Sequence, residues 1–160
     1  MKSTRNFTLK SLNLMTLTIV GAALFIGLPL SAEDRSCSNA GVAGAWSYVE
    51  TGNVYPAGVA VPFSAIASYT LDGSGNLSGS AVSSSGGAVS SVTLQGTGTV
   101  NSDCTSTLTV GIYSRGTFVR TVTFAIVYVH HGSEGLGLVT SLVLANGTSV
   151  PQCSPSTRKK

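Results

Sequence analysis

The sequence predicts an all-β domain, an eight-stranded antiparallel up-and-down β-barrel preceded by a signal peptide. Three observations predict this fold: apolar and polar residues alternate along most of the chain after Cys37, clusters of Gly, Asn, Asp and Ser separate the alternating runs, and no segment shows a helical period. Closure into a barrel removes the edges that an open sheet of hairpins would expose. A β-sandwich is the main alternative, whereas the lack of aromatic girdles disfavours an outer-membrane barrel.

The N-terminus has the composition of an export signal. Lys2, Arg5 and Lys10 form a basic start, residues 12–28 an apolar run, and the small residues that end at Ala32 a cleavage site. A retained signal anchor is the alternative, because an apolar run of about 17 residues reaches the lower limit for crossing a bilayer. The sequence favours cleavage, and the style of the leader favours a bacterial protein.

Cleavage leaves one neutral domain at residues 33–160. The full chain has a formal net charge of +3, and the leader, residues 1–32, carries that whole surplus. A neutral domain lacks the positive surface that nucleic-acid binding requires, and only 9% of the residues are charged. We therefore expect a secreted or periplasmic protein with no nucleic-acid partner and no membrane attachment after cleavage. The oligomeric state stays open.

The strands are predicted in chain order from period-two alternation. The first strand, for example, places Trp46, Tyr48 and Glu50 on one face and smaller residues on the other. The same criterion predicts eight strands, at residues 42–50, 63–71, 77–84, 88–100, 105–113, 118–130, 136–144 and 148–152.

The segments between the strands are predicted to be turns and loops. Residues 72–76, rich in Gly, Ser and Asn, form a hairpin turn, and residues 51–62 form the longest connection. Gly96 and Gly98 lie inside the fourth strand, where they predict a bulge or a sharp bend. Residues 154–160 are predicted to be a short basic tail in solvent.

Three cysteines in an exported chain predict one disulfide and one free thiol. If the strands alternate in direction, Cys37, Cys104 and Cys153 all fall at one rim of the barrel. The spacing alone does not choose the pair. Cys37 could bridge to Cys153, because first and last strands are neighbours in a barrel, or to Cys104, closing a loop of 67 residues.

Four segments together resemble a group of small exported bacterial proteins of unassigned function. They are Cys37-Ser38-Asn39-Ala40, Gly44-Ala45-Trp46-Ser47-Tyr48, Tyr69-Thr70-Leu71-Asp72-Gly73-Ser74-Gly75-Asn76 and Val100-Asn101-Ser102-Asp103-Cys104-Thr105. The resemblance covers nearly the whole mature chain and implies a barrel similar to the allene oxide cyclase and dirigent type, within the calycin-like architecture. Cys37 and Cys104 both belong to the shared pattern, which implies that they are bridged and that Cys153 is unpaired.

A second resemblance is confined to the first strand. Gly44-Ala45-Trp46 is similar to the G-x-W of lipocalins and avidins, in which the Trp closes one barrel end and often meets an Arg. Arg120 is the candidate partner, although strand direction places it nearer the opposite rim. Avidin-type biotin sites use several tryptophans, so the single Trp46 does not imply biotin binding.

The sequence supports neither a metal site nor a hydrolase triad. His130, His131 and Glu134 are the one concentration of metal-ligand types, but adjacent strand residues point to opposite faces, so we interpret them as a solvated rim. No Gly-x-Ser-x-Gly precedes a helix. We expect no metal and no cofactor.

Inward-pointing residues define the candidate ligand site. Strand parity places Glu50 and Arg120 near the rim opposite the cysteines, as a polar rim over an apolar bore; the alternative is a filled bore with both residues in solvent. The candidate ligand-binding residues are Trp46, Tyr48, Glu50, Tyr69, Arg120, Phe124 and Tyr128.

Three functions are compatible with such a barrel. The first is binding of a small apolar ligand outside the cytoplasm. The second is a cyclase or isomerase acting on a small hydrophobic substrate, with Glu50 as the catalytic residue that moves a proton. The third is a structural or surface-adhesion module, which requires no cavity.

Overall fold

The described part of the chain is an all-β barrel. The structure, a computed structural model, describes residues 37–160; the predicted signal peptide lies outside them. The strands are β1 Gly44–Val54, β2 Val61–Leu71, β3 Asn76–Ser85, β4 Ala88–Val100, β5 Thr105–Ser114, β6 Thr117–Val129, β7 Glu134–Leu144, β8 Gln152–Cys153 and β9 Pro155–Lys159. A short helix, α1 (Asn39–Val42), precedes them, and 3-10 turns occupy Pro56–Gly58 and His130–Gly132. Over residues 37–160, no helix has the length and apolar character to cross a membrane.

Eight of the strands close into an antiparallel barrel, as the sequence predicts. Strands β1 to β7 pair in chain order, and β9 lies between β7 and β1. Thr157 of β9 is opposite Leu136 on one side and opposite Val49 on the other. Because each of the eight strands pairs with two neighbours, none of them is an edge strand, whereas the two sheets of a sandwich would have edge strands. The additional strand β8 pairs only with the end of β1.

The position of the closing strand differs from the prediction. Residues 148–152 were predicted to close the barrel, but they contribute one isolated bridge, Val143 to Ser149, and the start of β8. The predicted solvated tail, residues 154–160, contains the closing strand instead. Because its inward positions carry polar side chains, the alternation of apolar and polar residues does not identify it as a strand.

Glycines in β4 allow close backbone approach and do not form the predicted bulge. The register between β4 and β3 runs without a shift through Gly96, and that between β4 and β5 runs without a shift through Gly96 and Gly98. A Cβ at Gly96 would collide with the carbonyl oxygen of Thr109. The register shifts of the sheet lie instead at Ile112/Tyr113 and Thr123/Phe124.

One disulfide identifies one end of the barrel. Cys37 and Cys104 are bridged, with their Cα atoms 4.9 Å apart, and Cys153 is free and exposed. The prediction that all three cysteines share a rim was wrong, because Cys153 is opposite Asn53, near the far end of β1. It precedes the closing strand instead of following it. We call the bridged end the disulfide end and the opposite one the open end.

Helix α1 closes the disulfide end. Its Val42 is 1% exposed, and the indole Nε1 of Trp46 donates a hydrogen bond of 2.9 Å to the Val42 carbonyl. The Asn39 side chain accepts from the Val100 amide at 2.8 Å. A helix of four residues is not stable alone, so burial of Val42, worth about 2 kcal/mol, and these hydrogen bonds hold it on the barrel.

We expect the Cys37→Ser variant to lose about 4 kcal/mol of unfolding free energy, because the bridge closes a loop of 67 residues and chain entropy assigns about that value to it. Cys104 is a poorer target, since its φ of 67° would mix backbone strain into the result. Urea unfolding measures the loss. The control is Cys153→Ser, which should unfold like the wild type; equal stability of Cys37→Ser and the wild type would contradict the assigned role of the bridge.

A second prediction concerns the seam where β1 meets the last segment. A Cβ at Gly52 would collide with the carbonyl oxygen of Cys153 and the Cα of Ser154, backbone atoms that cannot rotate away. We expect Gly52→Ala to lose about 3 kcal/mol in thermal or urea unfolding. Gly73→Ala is the matched control, because its nearest neighbour would be 3.9 Å away, and its change should stay within about 0.5 kcal/mol. A Gly52→Ala protein as stable as the control would contradict the close packing of this seam.

Candidate functional site

The half of the barrel interior nearer the open end contains a cavity. The cavity measures about 50 Å³ as the volume open to the centre of a water molecule, and since one water needs about 10–15 Å³ on this measure it has room for a few waters. One wall is aliphatic and comes from β3 to β6: Leu77, Ala81, Leu94, Leu108, Val110 and Val122. The other side, from β1, β6, β8 and β9, carries the polar groups: Glu50, Arg120, Gln152 and Arg158.

A wider outer space lies at the open end. It measures about 230 Å³ in the same sense and is bordered by Pro56 and Val150 from the loops there. The two spaces share Phe63, Ser83 and Arg120 in their linings. Arg120 therefore lies where the inner cavity meets the outer space.

The structure brings together most of the predicted ligand-site residues. Five line the cavity: Tyr48, Glu50, Tyr69, Arg120 and Phe124. Trp46 and Tyr128 do not; they pack against each other at the disulfide end, with ring centroids 5.6 Å apart. The bore is therefore filled by side chains in the half nearer the disulfide end, as the alternative prediction stated. Glu50, however, does not face solvent, since it is 3% exposed.

Arg158 is the residue that sequence reasoning missed. It is 1% exposed, and its guanidinium carbon lies 4.9 Å from the ring centroid of Tyr48 and 4.6 Å from that of Phe124. Nη1 donates to the Ser156 hydroxyl at 2.7 Å. The period-two spacing of Ser154, Ser156 and Arg158 could have indicated it, because this spacing is that of a strand whose inward residues are polar.

Glu50 is a buried carboxyl held by the segment that closes the barrel. Its Oε1 accepts a hydrogen bond of 2.6 Å from Gln152 Nε2 and another from the Ser154 hydroxyl. Burial raises the pKa of Glu50 above its ordinary value, and this effect outweighs the hydrogen bonds and the positive charges of Arg158 and Arg120, which lower it. A carboxyl with a raised pKa inside a cavity can give or take a proton there.

Burial shifts the pKa of the other polar groups in the same region. It lowers the pKa of Arg158 and of Arg120, and the nearby Glu50 charge opposes both shifts. It raises the pKa of the Tyr69 phenol, so this hydroxyl keeps its proton and can donate a hydrogen bond. Each shift disfavours the charged form, as expected where water is largely excluded.

The histidine pair lies away from this cavity. His130 and His131 are exposed in a 3-10 turn, and His130 Nδ1 is 3.2 Å from Glu134 Oε2. Within the described residues, no three His, Cys, Asp or Glu side chains converge.

No protein-family model, curated protein or solved structure matches the chain. The resemblance to allene oxide cyclase and dirigent barrels therefore stays a prediction.

The raised pKa of Glu50 predicts how stability changes with pH. A carboxyl that binds its proton more tightly when folded contributes stability that is present at low pH and lost as the pH rises above the ordinary pKa of 4.5. We therefore expect the Glu50→Gln variant to gain stability relative to the wild type as the pH rises above that value. Urea unfolding across the pH range measures the difference between the two proteins.

A second variant checks the cause. Arg120→Gln removes a positive charge that lowers the pKa of Glu50, so the loss of stability should extend to higher pH in that background. If Glu50→Gln instead gained stability relative to the wild type as the pH fell, the pKa of Glu50 would be lowered by folding and the prediction would be wrong.

Proposed function

We propose that this protein is an exported bacterial barrel that binds a small, mostly apolar molecule in its internal cavity and carries or sequesters it outside the cytoplasm. The observation that carries the proposal is the cavity itself, with an aliphatic wall facing a few polar groups. This combination is typical of small-molecule sites, where apolar contact supplies affinity and a few polar groups fix orientation.

The construction of the barrel supports binding from one end. Helix α1, Trp46 and the disulfide close one end, whereas the outer space at the open end adjoins the inner cavity through shared lining residues. A structural or adhesion module needs no such space and would favour a filled bore. The disulfide suits an oxidising compartment, as secretion or a periplasmic location would supply.

The position of Glu50 favours a second candidate, a cyclase or isomerase. An enzyme of this kind would hold a hydrophobic substrate in one conformation while a carboxyl of raised pKa moves a proton. The Glu50→Gln variant separates the two candidates: a carrier keeps its affinity within about tenfold, and an enzyme loses turnover while keeping that affinity. Unchanged turnover in this variant would exclude the proton role.

A cavity-filling variant tests the binding proposal. Ala81 lines the cavity and is 9% exposed, so Ala81→Leu places three more carbons in the hollow. We expect it to abolish the saturable heat that wild type shows in calorimetric titration with straight-chain aliphatic probes, while the melting temperature stays near that of the wild type. Ala125→Leu, on the outer face of β6, is the control and should bind normally.

Two results would reject the proposal. One is the absence of saturable heat with any probe in the wild type. The other is normal binding by Ala81→Leu, which would place the bound probe elsewhere on the protein.

A further inference from the structure

The lining of the inner cavity carries more positive than negative charge. Arg120 and Arg158 are its cationic groups, and Glu50 is the one carboxyl among its lining residues. With Glu50 ionised, one positive charge is left over; with Glu50 protonated, two are. The sign of the surplus does not depend on the state of the carboxyl.

Neither guanidinium is neutralised by a contact within the described residues. The ion pair found there joins His130 and Glu134 on the surface. Nε of Arg158 and Nε of Arg120 are buried without a hydrogen-bond partner. The rings of Tyr48 and Phe124 stabilise the Arg158 cation, but they bring no negative charge.

The barrel makes room for the Arg158 guanidinium. Gly137 is the inward residue of β7 beside it, and a Cβ at that position would collide with Nη1 of Arg158. Ser156 accepts a hydrogen bond from the same nitrogen. The cation is therefore built into the cavity and is not a surface side chain that has folded inward.

We propose that the ligand of this cavity is a small amphipathic carboxylate, a monoanion with a short alkyl or aryl body. The proposal rests on the ligand-binding function proposed above and names its substrate class. The guanidinium groups of Arg158 and Arg120 recognise the carboxylate, whose planar pair of oxygens matches the guanidinium fork. The body packs on the aliphatic wall from β3 to β6.

The size and charge of the cavity define the rest of the ligand. An inner volume of about 50 Å³ and an outer one of about 230 Å³ suit a short body, while a long lipid chain would extend into solvent. One negative charge balances the surplus with Glu50 ionised. Burying an uncompensated charge is costly, so an anion in this place removes a cost that a neutral ligand leaves.

The test compares three probes with the same chain and different heads: octanoate, 1-octanol and octylamine. Calorimetric titration of the wild type at neutral pH should show octanoate binding about tenfold more tightly than 1-octanol, because it forms charge-assisted hydrogen bonds. Octylamine should bind most weakly. In Arg120→Gln, affinity for octanoate should fall about tenfold while that for 1-octanol stays unchanged.

Arg115→Gln is the matched control. Arg115 lies exposed in the turn between β5 and β6, at the open end, so the variant makes the same change in net charge without touching the cavity. It should bind all three probes as the wild type does. Arg120 is the better target than Arg158, whose side chain lies in the core beside the closing strand.

The outcomes separate this inference from the proposed function. If 1-octanol or octylamine bound as tightly as octanoate, or if Arg120→Gln and Arg115→Gln weakened octanoate equally, the carboxylate proposal would be wrong and ligand binding would stand. If none of the three probes gave saturable heat, both proposals would fall.

Discussion

The pairing of β9 with two partners is the constraint on which the rest of the structure depends. This strand of five residues makes four residue pairs with β1 and five with β7. Without it, β1 and β7 would each present an unpaired edge, and the hydrogen-bonding groups of those edges would be open to other chains. Closure is late in the sequence, so the first and last strands of the barrel must meet across more than a hundred residues.

The two-sided character of the cavity follows from that closure. The closing segment has polar residues at its inward positions, and it lies beside β1, where Glu50 accepts hydrogen bonds from Gln152 and Ser154. Arg158 comes from the same segment. Strands β3 to β5, on the far side, contribute mostly aliphatic side chains to the cavity. The cavity therefore presents hydrogen-bonding groups where the barrel closes and an apolar wall opposite them.

Period-two alternation predicted much of the barrel and of the site, because inward and outward positions differ in polarity along most strands. The bounds of β4 agree at both ends, and Glu50 and Tyr69 point inward as expected. The alternation failed to predict β9, because a charged residue such as Arg158 is usually exposed to solvent. Since this closing strand was missed, Cys153 was predicted at the wrong end of the barrel. The cavity could not be predicted from this alternation. Its volume depends on how the inward side chains of all the strands pack together, and on the space that small residues such as Ala81 leave.

The buried polar atoms without hydrogen-bond partners lie in one half of the barrel. Within the described residues, the buried side-chain atoms without partners belong to Arg120, Gln152 and Arg158, and all three residues line the inner cavity. An apolar side chain of similar volume in place of a buried cation is often more stable, so stability alone does not explain these choices. The end closed by Trp46 and the disulfide has no such atoms in the same set. The contacts of Trp46 and the disulfide stabilise that end and offset the cost of the unpartnered polar groups in the cavity.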